Sequence, residues 1–231
     1  MNDRNVGTVL VTGGSSGLGA AVAAAVREAG GTALVLDRQP SDAADAHRIV
    51  DLADTRSAEE AVRTIVDAHG GRLDGVVTAA GIDRCGKLDE VDGKEWEHVV
   101  AVNLLGMAAV ARAALPYLER SSGRLVTVAS TLGLRAASDA TAYCASKFGV
   151  VGFTRALAAE LAGRIGVTLL IPGGMSTHFF DDRPQQYRPG TDAKLNSPEN
   201  VAQAVLFALQ QPVGCELREL VIASSEEPSW P

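Results

Sequence analysis

A glycine-rich turn between a short apolar segment and a helical pattern constrains the fold of this chain more than any other feature. Residues 8–11 (TVLV) predict a buried strand, and the turn TGGSSGLG follows at residues 12–19. Apolar residues then recur at helical spacing up to residue 29. Residues 32–36 (TALVL) predict a second strand, closed by Asp37. This order of strand, turn, helix, strand and acid predicts a dinucleotide-binding unit.

The chemistry of the turn explains its composition. Gly13, Gly17 and Gly19 let the backbone approach a pyrophosphate closely, and the following helix offers free N–H groups and a positive dipole end. Asp37 lies eighteen residues after Gly19, where its carboxylate can accept hydrogen bonds from ribose hydroxyls. A purely structural turn is the alternative, and the complete context makes it the weaker one.

Three residues of the segment 124–152 suggest acid–base chemistry. A predicted strand at residues 125–128 leads to Ser130, and Tyr143 and Lys147 follow four positions apart on a predicted helix. Residues with that spacing share a helical face. A nearby cation would lower the tyrosine pKa from its reference value of about 10. The Y-x-x-x-K pattern alone also fits an ordinary surface helix.

Strands and helices alternate along the whole chain. Further strands are predicted at residues 47–50, 73–78, 167–171 and 219–222, with helices at 57–69, 94–118 and 197–210. Such alternation predicts an α/β fold: a single doubly wound Rossmann-type domain over residues 1–231, with a roughly seven-stranded parallel sheet flanked by helices.

Residues 174–196 have little periodicity and form the candidate substrate lid. Aromatic residues stand there among both signs of charge (Phe179, Phe180 and Tyr187 among His178, Asp181, Asp182, Arg183 and Arg188). That mixture suits a polar ligand such as a polyol, a sugar or a hydroxy acid. The alternative is a solvated loop anchored by the two phenylalanines.

Composition excludes several classes of partner. The net charge is −7, and the chain has no clustered basic stripe, so we expect no nucleic acid. We expect no membrane insertion, because no apolar run reaches about 18 residues and residues 1–7 carry no apolar signal region. Cys85, Cys144 and Cys215 match no metal spacing, so no metal is expected, and they indicate reduced thiols in the cytoplasm.

The motifs together resemble the short-chain dehydrogenase/reductase family over essentially the whole chain. Its T-G-x-x-x-G-x-G turn matches residues 12–19, its catalytic Asn, Ser, Tyr and Lys match Asn103, Ser130, Tyr143 and Lys147, and its P-G-x-x-x-T segment matches residues 172–177. The resemblance implies these cofactor-binding residues: Gly13, Ser15, Ser16, Gly17, Leu18, Gly19, Asp37, Arg38, Asp51, Leu52, Ala79, Ala80, Gly81, Asn103, Tyr143, Lys147, Pro172, Gly173, Met175 and Thr177.

The resemblance also implies hydride transfer between NAD(H) and a secondary alcohol or ketone. Tyr143 would act as the acid/base, and Ser130 would hold the substrate oxygen. Lys147 would lower the pKa of Tyr143 and bind ribose hydroxyls, while Asn103 would fix a water of a proton relay. Members of the family are usually homodimers or homotetramers, and a monomer stays open here. The competing hypothesis is a non-catalytic NAD-binding regulatory or scaffold protein.

Three positions bear on the type of cofactor. Asp37 and Ser16 favour NAD, because a carboxylate repels the extra phosphate of NADP and NADP-preferring relatives often carry a basic residue at the second position. Arg38 argues the other way, since a guanidinium can pair with a phosphate. We rank Asp37 above Arg38, which can swing into solvent.

One departure from the family pattern is visible. The family's N-N-A-G stretch is TAAG here, at residues 78–81. We expect Thr78 to replace one of the lost side-chain hydrogen bonds and Ala79 to replace none.

Overall fold

A seven-stranded parallel sheet organises the computed structural model, which describes residues 6–227. Its strands are β1 (Thr8–Thr12), β2 (Thr32–Asp37), β3 (Ala46–Ile49), β4 (Gly75–Thr78), β5 (Arg124–Val128), β6 (Gly166–Pro172) and β7 (Glu219–Ile222). They lie in the order β3-β2-β1-β4-β5-β6-β7, and every neighbouring pair is parallel. The order in which the strands are added to the sheet therefore reverses between β1 and β4, and α/β sheets of this kind bind their ligands at such a point.

Helices cover both faces of the sheet. They are α1 (Gly17–Glu28), α2 (Thr55–Ala68), α3 (Gly93–Val100), α4 (Met107–Ser121), α5 (Thr141–Glu160) and α6 (Pro198–Leu209). Val9 and Val11 pack with α1 and α6, whereas Leu10, between them, packs with α2 and α4. Successive strand residues point to opposite faces, so continuous apolar strands require two covered faces. The predicted doubly wound α/β fold is confirmed. The assignment of residues 1–231 to one domain stays a prediction.

A π-helical stretch interrupts the longest helix. Residues Ala101–Gly106 join α3 to α4 and carry Asn103 in their middle. The predicted helix over residues 94–118 is therefore one continuous helix, Gly93–Ser121, with a widened turn inside it. Short π segments occur often at functional sites.

This helix corrects the expectation that no segment is long and apolar enough to span a bilayer. By length and composition it could cross a bilayer, because its mean hydropathy reaches 1.7 over an 18-residue window. A core helix passes the same test, and 56% of that window is buried inside the structure. Ala109, Val110 and Leu118 pack against the sheet in one core cluster with α2. Those three apolar residues of the helix therefore have a partner within the fold.

The two ends of the segment 174–196 lie next to each other. Ser176 N donates to Asn196 O over 2.8 Å, and Asn196 N donates to Gly174 O over 2.9 Å, so the two ends are tied together. Between them lie two 3₁₀ turns, His178–Phe180 and Gln185–Tyr187. The next helix, α6, begins as predicted, with Ser197 as N-cap and a proline in the first turn.

Candidate active site

The carboxyl ends of the strands open into one cavity of about 950 Å³. All of the predicted cofactor residues line it except Asn103, which is 1% exposed and lies behind its wall. The cavity lies beside β1 and β4, at the switch point of the sheet. Residues 79–81, at the end of β4, line the same cavity as the glycine turn.

Contacts within the protein explain two glycines of the turn. Gly13 has φ +71, and a Cβ there would lie 2.7 Å from the Cα of Ala80. A Cβ on Gly19 would lie 2.1 Å from the carbonyl oxygen of Gly13. Thr12 Oγ1 also accepts a hydrogen bond of 3.1 Å from Ala80 N. The turn is therefore packed directly onto the end of β4.

The N-terminus of α1 faces the cavity. Among the described residues, the N-cap Ser16 makes no side-chain capping bond to the first turn. Backbone N–H groups at an uncapped helix start attract anions, together with the positive end of the helix dipole. Gly17 begins the helix with φ +52, and a Cβ there would lie 3.4 Å from Thr177 Cγ2. Thr177 and the glycine turn thus meet across the cavity.

Asp37 lies at the end of β2 and faces the glycine turn. Its Oδ2 accepts hydrogen bonds from the Ser15 amide over 2.9 Å and from the Ser15 hydroxyl over 2.7 Å. The neighbouring Arg38 is exposed. Asp51 is exposed as well, and Leu52 beside it is buried. An acid for the ribose and an apolar wall for a flat ring are therefore both present.

Ser130 and Tyr143 meet at the inner end of the cavity. Ser130 lies beyond β5 and hydrogen-bonds Tyr143, which projects from the first turn of α5. Burial raises the pKa of Tyr143 to about 12, the Ser130 hydrogen bond lowers it, and Asp83 and Arg183 act in opposite directions. The expectation was that Lys147 lowers this pKa. In the protein alone the pKa is raised, and burial of the phenol is the largest cause.

Lys147 is directed toward the end of β5. Its Nζ donates to the carbonyl oxygen of Val128 over 2.9 Å and lies 5.6 Å from the centroid of the Tyr143 ring. The side chain is buried, and burial lowers its pKa to about 8. A lysine with such a pKa exchanges its proton near neutral pH more readily than a free one.

Asn103 fixes the chain after β4. Its Oδ1 accepts from Ile82 N over 2.8 Å, and its Nδ2 donates to Ile82 O over 2.9 Å and to Ser146 Oγ over 3.1 Å. A Cβ on Gly81 would lie 3.6 Å from both Asn103 Oδ1 and Lys147 Nζ. Asn103 is thus a satisfied buried amide next to the lysine. Its role in holding a water stays a prediction.

The TAAG departure leaves an unpaired hydroxyl. Thr78 Oγ1 is buried and has no hydrogen-bond partner among the described residues. The expectation that Thr78 replaces a lost hydrogen bond is therefore wrong.

The segment after β6 closes the other side of the cavity. Gly173 N donates to Ile222 O, and Gly174 N donates to Glu227 Oε2, each over 2.9 Å. Glu227 lines the cavity, and the sequence analysis missed it because the tail has no motif. The Pro172 and Met175 positions lie in the same wall.

The candidate lid reaches the catalytic residues through its aromatic side chains. The ring centroid of Phe179 lies 5.7 Å from that of Tyr143. Arg183 lies over the rings of Phe179 and Phe180 and forms an ion pair of 2.6 Å with Asp83. The sequence analysis also missed Asp83, although its place just after β4, at the switch point, was a usable signal.

Comparison with known proteins shows the family of the chain. The model of the short chain dehydrogenase family matches residues 7–188. An uncharacterized oxidoreductase of Staphylococcus aureus is 32% identical over 225 residues, which cover 92% of this chain and 95% of that protein. The chain belongs to the short-chain dehydrogenase/reductase family. A 3-oxoacyl-[acyl-carrier-protein] reductase of Thermotoga maritima is also 32% identical, over 86% of this chain and 88% of the relative.

Solved structures of the family share the architecture. A dehydrogenase/reductase from Sinorhizobium meliloti 1021 superposes with a TM-score of 0.82 at 26% identity, covering 95% of this chain and 96% of the other. An alcohol dehydrogenase of Thermococcus sibiricus, complexed with 5-hydroxy-NADP, gives 0.85 at 23% identity, covering 96% and 97%. The short-chain dehydrogenase/reductases are oxidoreductases that bind a nicotinamide cofactor, and this chain has their fold.

Proposed function

We propose that this protein transfers hydride between NAD(H) and a secondary alcohol or ketone, with Tyr143 as the acid/base. One observation carries the proposal. Ser130, Tyr143 and Lys147 line the inner end of the cavity whose outer part holds the glycine turn and Asp37. A proton-transfer group and a dinucleotide-binding surface thus share one space.

The residues present fit a nicotinamide dinucleotide. The uncapped start of α1 suits the pyrophosphate, and Asp37 suits the ribose hydroxyls at the adenosine end. Leu52 and the small residues 79–81 leave room for flat rings along the strand ends. Pro172 and Thr177 would hold the nicotinamide end.

The bound cofactor would supply the hydride acceptor or donor at its nicotinamide ring. In the oxidative direction Tyr143, as phenolate, would take the hydroxyl proton of the substrate, while Ser130 holds the substrate oxygen. Lys147 would bind ribose hydroxyls and, as a cation, favour the phenolate. Asn103 would fix a water that links Lys147 to solvent. Because burial raises the pKa of Tyr143, we expect the positive charge of Lys147 to help turnover at neutral pH.

We propose NAD rather than NADP as the cofactor. The Asp37 carboxylate is fixed at the end of β2 by two hydrogen bonds from Ser15, so it cannot easily move away from a phosphate. Arg38 is exposed and unconstrained by comparison. The structural neighbour with an NADP derivative is 23% identical and shares the fold alone, so its ligand does not decide the question.

The competing proposal is a protein that binds the dinucleotide without turnover. The presence of Asn103, Ser130, Tyr143 and Lys147 together argues against it. The deciding experiment follows nicotinamide absorbance over a broad panel of alcohols and ketones with NAD(H) and NADP(H). Turnover that disappears in Tyr143→Phe supports the enzyme, whereas cofactor binding without turnover over the whole panel supports the alternative.

We also propose a homo-oligomer in the cytoplasm. Leu105 on the π-helical segment and Phe148 on α5 are 52% and 45% exposed, and apolar side chains of that size favour a partner copy. The described cysteines are free thiols, as expected in a reducing compartment. Light scattering on the purified protein measures the number of copies.

A further inference from the structure

A buried ion pair lies in the inner part of the cavity, outside the catalytic residues. Arg183 Nη2 of the candidate lid lies 2.6 Å from Asp83 Oδ2, and the two side chains are 15% and 2% exposed. The thiol of Cys85 also donates to Asp83 Oδ2, over 3.1 Å. One oxygen of the carboxylate thus has two donors.

The other oxygen of the same carboxylate has none. Asp83 Oδ1 is buried and lacks a hydrogen-bond partner among the described residues. Arg183 Nε is also buried and also lacks a partner among them. Buried polar atoms are normally paired, and an unpaired one calls for an explanation. Both residues line the cavity, so a group brought by a ligand can supply the missing partner.

Asp83 is held in place by its neighbours. Asn103 bonds both the N–H and the carbonyl of Ile82, the residue directly before it. Arg183 is held as well, because its guanidinium lies 5.1 Å from the Phe179 ring and 4.7 Å from the Phe180 ring. Phe179 in turn contacts Tyr143. The ion pair is therefore held beside Phe179, the ring that also contacts Tyr143.

The charges of the pair select the chemistry of the missing group. Asp83 and Arg183 together carry no net charge, so the pair offers no excess charge to an anionic or an ammonium group. The unpaired atoms are one acceptor and one donor, and an alcohol hydroxyl is the simplest neutral group that can serve both. It can donate to Asp83 Oδ1, which as a carboxylate oxygen only accepts.

We propose that Asp83 is a specificity-determining residue that accepts a hydrogen bond from a second hydroxyl of the substrate. The substrate class is then a diol or polyol, or the matching hydroxyketone, rather than a hydroxy acid or a simple alcohol. This inference rests on the proposed oxidoreductase function. The composition of the lid allowed a polyol, a sugar or a hydroxy acid, and this inference favours the ligands with two or more hydroxyls.

The test compares substrates that differ by one hydroxyl. Cyclohexanol is paired with cyclohexane-1,2-diol and with cyclohexane-1,3-diol. A linear secondary alcohol is paired with diols of the same chain length and with glycerol. Loss of a hydrogen bond to a charged group corresponds to about 10- to 100-fold in kcat/KM. We expect the kcat/KM of the wild type to be higher by that factor for the member of a pair that carries the second hydroxyl. Asp83→Ala should reduce this preference to about 3-fold or less.

Two further variants separate recognition from lid closure. Asp83→Asn keeps the shape and serves if Asp83→Ala fails to fold, and it should also reduce the ratio. Tyr187→Phe removes the lid contact to Asp139 Oδ2 of 3.3 Å, so it should lower both members of a pair alike and leave the ratio unchanged. Equal kcat/KM within all pairs, or a ratio that survives in both Asp83 variants, overturns the proposal. Absence of any turnover would instead overturn the proposed function, and this inference with it.

Discussion

The Nζ atom of Lys147 lies 2.9 Å from the carbonyl oxygen of Val128, so the lysine of α5 is anchored to the end of β5. This contact satisfies one of its three donors inside the protein. The remaining donors can serve a ligand in the cavity. The arrangement couples the catalytic helix to the sheet and explains why a buried ammonium group is tolerated at this point.

Replacement of Tyr143 by phenylalanine should abolish turnover and leave cofactor binding nearly intact. The ring stays in contact with Phe179 and only the hydroxyl is lost. Acid–base catalysis by one group is typically worth about 10² to 10⁴ in rate. Steady-state kinetics and cofactor titration by fluorescence measure the two effects. Lys147→Ala, as the comparison variant, should damage both. A Tyr143→Phe rate above about a tenth of wild type would refute the acid/base role, given the size of such catalysis.

Lys147 should make stability depend on pH in the alkaline range. Its pKa is lowered to about 8 by burial, whereas an unfolded lysine titrates near ~10.4. Between these values the unfolded chain binds more protons, so the free energy of unfolding rises with pH, and the penalty is complete below pH ~8. Relative to Lys147→Met, we expect the wild type to gain up to about 3 kcal/mol across this range.

Urea titrations at several pH values measure this difference. The raised pKa of Tyr143 acts in the opposite direction, because the folded protein keeps that proton and loses stability as pH rises above ~10. The comparison is therefore made in a Tyr143→Phe background. A difference that stays flat between pH 8 and 10 would show that the lysine is not desolvated as the structure has it.

Thr78→Val should stabilise the protein. The substitution removes a buried hydroxyl that has no partner among the described residues, and the free energy of unfolding should rise by about 1 kcal/mol. Thr127, its register partner on β5, is the matched control. Its Oγ1 lies 2.7 Å from Thr154 Oγ1, so Thr127→Val should lower the same quantity by about 1 kcal/mol. Equal losses in both variants would mean that Thr78 does have a partner.

Residues 175–190 should behave as a lid that closes over bound ligands. A few contacts hold the segment, chiefly the ion pair of Arg183 with Asp83 and the Tyr187 hydroxyl with Asp139. A broad-specificity protease such as subtilisin should cut there first, and cofactor with substrate should slow the cut. Arg183→Gln should speed it in the free protein. If neither the ligands nor the Arg183→Gln substitution changes the cutting rate, the segment is a plain surface loop.

Preference for NAD over NADP should be about 10- to 1,000-fold in kcat/KM, from charge repulsion of a few kcal/mol at Asp37. Asp37→Ser should narrow the gap, because Arg38 can then pair with the phosphate. Ser15→Ala is the control, since it removes a hydrogen bond to Asp37 and keeps the charge. That variant should retain most of the preference. Equal or better efficiency with NADP in the wild type would refute the assignment.

The sequence by itself determined the sheet, the turn and the cofactor residues that were predicted and that line the cavity. Those features depend on local patterns: apolar runs that need two covered faces, glycines at a strand–helix turn, and Tyr143 and Lys147 at helical spacing. Even the N-cap of α6 at Ser197 followed from short-range preference.

Only the tertiary structure decided the features that depend on contacts between distant residues. Asp83 and Arg183 are 100 positions apart. Their ion pair therefore cannot be predicted from the sequence pattern around either residue. The pKa of Tyr143 rises chiefly because the folded chain buries the phenol. The same packing left the Thr78 hydroxyl without a partner in the part of the chain that the structure describes. Burial and pairing are properties of the assembled chain, and spacing along the sequence does not contain them.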